Sequence, residues 1–156
     1  MSASVGKPIV RVDAFDKATG RAKYTDDLCD RSALIAKVVH STVANGLVTA
    51  IDTSEAEKIP GVVKILTCFD VPDLPFPTAG HPWSTDPHHQ DVADRLLLNR
   101  RVRYYGDDVA AVVAENEVAA AQAVRAIKVS YEEYPVMLDV FDAMKEDATQ
   151  LHEGFP

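Results

Sequence analysis

The sequence predicts an α+β fold: a mixed β-sheet with two strand-helix-strand units and short helices packed on it. Three observations point there. Short apolar runs rich in β-branched residues recur along the chain, bounded by Gly, Pro or Asp. Two of these runs are followed by a helical segment and then by a further run, and such units normally set their two strands side by side in one sheet. Strands outnumber helices and irregular chain separates the units, which favours α+β over a doubly wound α/β sheet. With 156 residues and 47% apolar content, the chain is long enough for one compact core.

In chain order, Asp13 caps a short helical turn through Lys17, Thr19-Gly20 ends it, and residues 21–25 continue extended. Residues 32–41 form a first strand. Residues 47–52 form a second, with Leu47, Thr49 and Ile51 alternating against Val48 and Ala50. Asp52-x-x-Glu55 and Ser54-x-x-Glu57 both read as capping boxes for a helix of about two turns, which Pro60-Gly61 stops. Val62–Thr67 is the third strand. Asp108–Ala114, residues 115–125 and residues 127–131 then repeat strand, alanine-rich helix, strand. Asp139 caps a last short helix through Met144, and a polar exit follows. The expected division is an entry segment 1–28, a domain 29–145 and an exit 146–156.

Between the halves, residues 71–101 carry Pro72, Pro75, Pro77, Gly80, Pro82 and Pro87, which forbid long regular elements. A loop of that length in a compact domain is a candidate interface, and Leu74, Phe76 and Trp83 supply apolar contact groups.

The net charge of −8 offers no basic footprint for nucleic acid or an anionic membrane. No apolar run approaches the roughly 18 residues of a membrane span, and the N-terminus lacks a signal-like apolar stretch, so a cytoplasmic chain is expected. Cys29 and Cys68 stand far apart without a CxxC partner and read as ordinary reduced thiols. His81, His88 and His89 lie near Asp86, Asp91 and Asp94, but their spacing matches no metal-ligand signature, and solvated loop polars are the better reading. His40 reads as a satisfied core or edge histidine without a functional role. The pairs Asp26-Asp27, Asp107-Asp108 and Glu132-Glu133 point to opposite sides of extended chain and read as surface or turn residues, with Gly106-Asp107 as a tight turn. No GxSxG, GxGxxG or GxxxxGK[ST] motif is present. No catalytic, cofactor-binding or metal-binding residue is expected.

Longer words carry a resemblance. Arg11-Val-Asp13 is followed by Lys17, Thr19-Gly20, Ala22 and Tyr24-Thr-Asp-Asp27. Further on come Ile59-Pro-Gly-Val-Val-Lys-Ile-Leu-Thr67 with Asp70-Val-Pro72, then Val102-Arg-Tyr-Tyr-Gly-Asp-Asp-Val-Ala-Ala-Val-Val-Ala-Glu115, Ala119-Ala-Ala121 and Val129-x-Tyr-Glu-Glu-Tyr-Pro-Val136. Together they resemble the N-terminal α/β-hammerhead domain of molybdenum-binding subunits in the xanthine dehydrogenase and aldehyde oxidase family. Phe76-Pro-Thr-Ala-Gly-His81 and Asp91-x-Ala-Asp-Arg-Leu-Leu-Leu98 look most like bacterial xanthine dehydrogenases. Gly106-Asp107-Asp108, where the family more often has Gly-Glu-Pro, and His40, where it often has arginine, depart from the pattern.

The resemblance implies a noncatalytic domain of a larger enzyme, with the chain a fragment or truncated product. The parent would hydroxylate hypoxanthine or xanthine at a molybdopterin-bound molybdenum, passing electrons through 2Fe-2S clusters and FAD on partner subunits to NAD. The implied partners are a missing molybdopterin-binding domain of the same polypeptide and the iron–sulfur and FAD subunits, with a homo-oligomer left open and no nucleic acid or membrane. The alternatives are a stand-alone binding or assembly module of the same fold, an aldehyde-oxidase-type molybdenum hydroxylase, and a small metal enzyme using His81, His88 and His89.

Overall fold

A computed structural model describes residues 5–30, 32–77, 93 and 95–151 of the chain, in two compact units, Met1–Ala33 and Leu34–Pro156. The first contains two short helices, α1 (Ala14–Ala18) and α2 (Thr25–Leu28), neither of which buries a residue. Asp13 occupies the N-cap of α1 but makes no capping bond. Its carboxylate is held instead by Lys17 Nζ at 2.8 Å and by Arg11 Nε, and Lys17 first and Arg11 second keep it below the usual carboxylate pKa. Thr19 closes the helix, with Gly20 at φ 72°. Extended chain was expected through Thr25. The helix starts there because Asp27 accepts the Tyr24 backbone N–H at 3.0 Å and closes a capping turn.

In the second unit the strands are β1 (Ile35–His40), β2 (Gly46–Asp52), β3 (Val62–Thr67), β4 (Arg101–Val102), β5 (Asp108–Ala114) and β6 (Lys128–Glu133), with helices α3 (Glu117–Ala126) and α4 (Val140–Ala143). They form two three-stranded sheets, ordered β1-β5-β3 and β4-β2-β6. Every pairing is antiparallel. The α+β class is as expected, but the two strands of each unit do not share a sheet: β2 and β6 belong to one, β3 and β5 to the other. The run Val-Ala-Ala-Val-Val-Ala of β5 is buried or half-buried along its length and so takes the centre of its sheet. The connections 53–61 and 115–127 therefore cross from sheet to sheet.

The helix expected between β2 and β3 is absent. Residues 54–58 form hydrogen-bonded turns, in which Glu57 N donates to Thr53 O at 3.0 Å and Ser54 N to Asp52 Oδ1 at 3.0 Å. Too few residues precede Pro60 for propagation to repay the cost of nucleating a helix. By contrast α3 forms: Asn116 Oδ1 accepts from Ala119 N at 2.9 Å as its N-cap. Its buried face is Ala119, Ala120 and Ala123, small enough for close approach. A Cβ on Gly61 would sit 3.3 Å from the Ala119 Cβ, and Gly61 also holds φ 88°. The main core joins Val39, Val48, Val102, Val109, Val112 and Ile127 with their neighbours, and a second cluster joins Ala114, Ala119 and Ala120 with Ile35 and Ile59. At the C-terminal side, Asp139 caps α4 as expected, accepting from Phe141 N at 2.7 Å and Asp142 N at 3.3 Å.

Candidate functional site

The long excursion leaves β3 and returns to β4, and its two ends meet. Phe76 and Arg95 exchange backbone hydrogen bonds at 2.8 and 3.2 Å in an isolated bridge. Asp70 closes the end of β3: its Oδ2 accepts from Thr67 Oγ1 at 2.6 Å and Thr67 N at 2.8 Å, which lowers its pKa. On the outgoing side Leu74 is 70% and Phe76 45% exposed, as an interface loop requires. Trp83, His81, His88 and His89, with Asp86, Asp91 and Asp94, lie outside the described residues.

The return is anchored on Asp107, which is only 2% exposed. This corrects its expected place on the surface. Asp107 Oδ1 accepts from Asn99 Nδ2 at 2.8 Å and Asp108 N at 3.1 Å, and Oδ2 from Arg103 N at 3.2 Å. Arg95 Nη2 stands 4.0 Å from Oδ1 and donates to the Tyr104 hydroxyl at 2.7 Å. Asn99 Oδ1 in turn accepts from Leu96 N at 3.1 Å. The backbone closes the same knot, Ser41 N donating to Asp107 O at 2.7 Å and Gly106 N to Ser41 O at 3.0 Å, with Gly106 at φ 95° in the expected turn. Burial pushes the Asp107 carboxyl above its usual pKa, against the hydrogen bonds that favour its charge. Nothing in the sequence distinguishes Asp107 from Asp108; the fold buries one and leaves the other half-buried at the end of β5.

A second polar anchor also escaped the sequence reading. Arg101 Nη1 donates to Asn45 Oδ1 at 2.7 Å and to the Gly46 carbonyl at 3.1 Å, with its guanidinium carbon 5.0 Å from the Tyr134 ring centre. Asn45 Nδ2 donates to Pro135 O at 2.6 Å. These bonds fasten the chain leaving β6, beyond which Leu138, Val140, Phe141 and Met144 are exposed. Hydrogen-bonded polar groups thus lie beneath, and apolar side chains are left outside.

A family model described as "Aldehyde oxidase and xanthine dehydrogenase, a/b hammerhead domain" matches residues 19–135. The chain belongs to this family. It is 46% identical over 145 residues to the xanthine dehydrogenase molybdenum-binding subunit of Escherichia coli, covering 93% of this chain and 19% of that protein. It is 34% identical over 146 residues to the carbon monoxide dehydrogenase large chain of Afipia carboxidovorans, covering 92% and 17%. Among solved structures, the aldehyde oxidoreductase of Desulfovibrio desulfuricans matches with a TM-score of 0.82 at 35% identity, over 97% of this chain and 17% of that one. The chain thus spans about a fifth of the length of the curated relative named first.

The described residues do not fit a metal centre of their own. No group of three or more His, Cys, Asp or Glu among them converges on a point. Cys29 is exposed and its thiol donates to Thr25 O at 3.2 Å, whereas Cys68 is buried and burial pushes its thiol up to about 11. No helix among the described residues is long and apolar enough to cross a membrane.

Proposed function

We propose that this chain is a noncatalytic α/β-hammerhead domain of a xanthine dehydrogenase molybdenum-binding subunit, acting in the cytoplasm. The parent enzyme hydroxylates hypoxanthine or xanthine at its molybdenum centre and passes electrons to 2Fe-2S clusters, FAD and NAD. The observation that carries this reading is the near-complete match of the chain to a fifth of a molybdenum-binding subunit. The geometry supports it: the buried Asp107 carboxylate and the Arg101 knot are spent on holding chain, and Leu74, Phe76 and the residues around α4 stay exposed for a neighbouring domain. The division into an entry segment 1–28, a hammerhead 29–145 and an exit 146–156 belongs to the same proposal, as do the molybdopterin-binding domain and the iron–sulfur and FAD subunits as partners.

Two measurements test it. The purified chain is expected to hold no molybdenum by elemental analysis and to oxidise neither xanthine, hypoxanthine nor an aldehyde; turnover by the isolated chain would overturn the noncatalytic role. The gene is expected to continue in frame beyond the codon for Pro156 into a long second domain. A stop codon there would make the chain a stand-alone module.

A further inference from the structure

The strands β1 and β6 are each outermost in their own sheet. Beside them, where α3 ends, the second unit has a solvent-open cavity of about 450 Å³. Its apolar walls are Val38, Val124, Ile127 and Val129, and its volume falls within the roughly 300–1,000 Å³ usual for small-molecule sites. The rim is polar. The bulged register of β1 on β5 sets His40 opposite Asp108, and His40 Nδ1 lies 3.0 Å from Asp108 Oδ1. The carboxylate beside Nδ1 orients the ring and favours the tautomer that carries its proton on Nδ1, in which Nε2 is the acceptor. Among the described residues Nε2 has no partner, nor do the hydroxyls of Thr42 and Tyr105, which also line the cavity.

We propose that this cavity binds a small neutral aromatic molecule bearing one hydrogen-bond donor, of the phenol class. Its ring lies against Val38, Ile127 and Val129, and its hydroxyl donates to His40 Nε2. The apolar walls select a hydrophobic body, the oriented imidazole selects a donor, and the chain's net charge of −8 disfavours an anion. This site adjoins the Asp107 knot through Ser41 and Asp108 and does not depend on the parent enzyme's activity.

The test is an NMR titration of the isotopically labelled chain with 2-naphthol and, as the donor-free control, 2-methoxynaphthalene. Saturable shifts are expected at the methyl groups of Val38, Ile127 and Val129 and at the His40 ring. Loss of one neutral hydrogen bond makes the methoxy compound bind roughly fivefold to tenfold more weakly. His40→Ala removes wall contact from both compounds but the hydrogen bond from 2-naphthol alone, so the preference for 2-naphthol over 2-methoxynaphthalene falls to about one. Absence of saturable shifts at these methyls overturns the site, and equal affinity for the two naphthalenes in the unsubstituted chain overturns the role of His40 without needing the variant.

Discussion

Asp107→Ala tests whether the buried carboxylate holds the return of the excursion. The substitution removes the acceptor of three N–H donors, from Asn99 Nδ2, Arg103 N and Asp108 N. Each donor left buried without a partner costs about 1–3 kcal/mol, and water entering the vacated space recovers part of that, so the loss is about 3–5 kcal/mol. That is a large share of the roughly 5–15 kcal/mol by which a domain is normally stable. Urea denaturation followed by circular dichroism measures it, and Asp26→Ala, at an exposed acid, serves as the control with a change within about 0.5 kcal/mol. The pH dependence adds a sign. Burial raises the folded-state pKa of Asp107 above its ordinary value of 3.8. In that window the folded chain keeps a proton that the unfolded chain has released, so the stability of wild type relative to Asp107→Asn falls as pH rises through it and levels off above the folded pKa. A loss below about 1 kcal/mol for Asp107→Ala, or a wild-type advantage over Asp107→Asn that grows with pH in that window, would refute this account of the knot.

Three further outcomes follow from the packing. Gly46→Ala places a Cβ 2.6 Å from the Glu132 carbonyl oxygen, so β2 and β6 must part, costing about 1–3 kcal/mol in a chemical-denaturation series. Asn116→Ala removes the N-cap of α3 and costs about 1 kcal/mol, whereas Asn116→Asp restores most of it. Iodoacetamide at pH 8 modifies the exposed Cys29 in the native chain and spares Cys68 until denaturant is added, read by mass spectrometry. Equal labelling of both thiols in the native chain would contradict the burial of Cys68.

Local chemistry was legible wherever it acted within a few residues. The strands Val62–Thr67 and Asp108–Ala114 coincide with their expected bounds, because an apolar β-branched run between turn residues has no competing structure. Asp139 caps α4 and Gly106 makes its turn for equally local reasons. Where a local signal was marginal the reading failed: the capping boxes at 52–57 had too few residues to propagate, and Asp13 was drawn from its capping role by two cations.

By itself, then, the sequence determined the α+β class, most strand positions and, through its longer words, the family. The tertiary structure alone decided which strands pair, that β2 and β3, like β5 and β6, part into separate sheets, and that Asp107 rather than Asp108 is buried. The physical reason is distance along the chain. Antiparallel pairing of β1 with β5 joins residues some seventy positions apart, and the knots of Asp107 and Arg101 and the His40 cavity exist only where such segments converge. No periodicity or local propensity encodes a contact of that span.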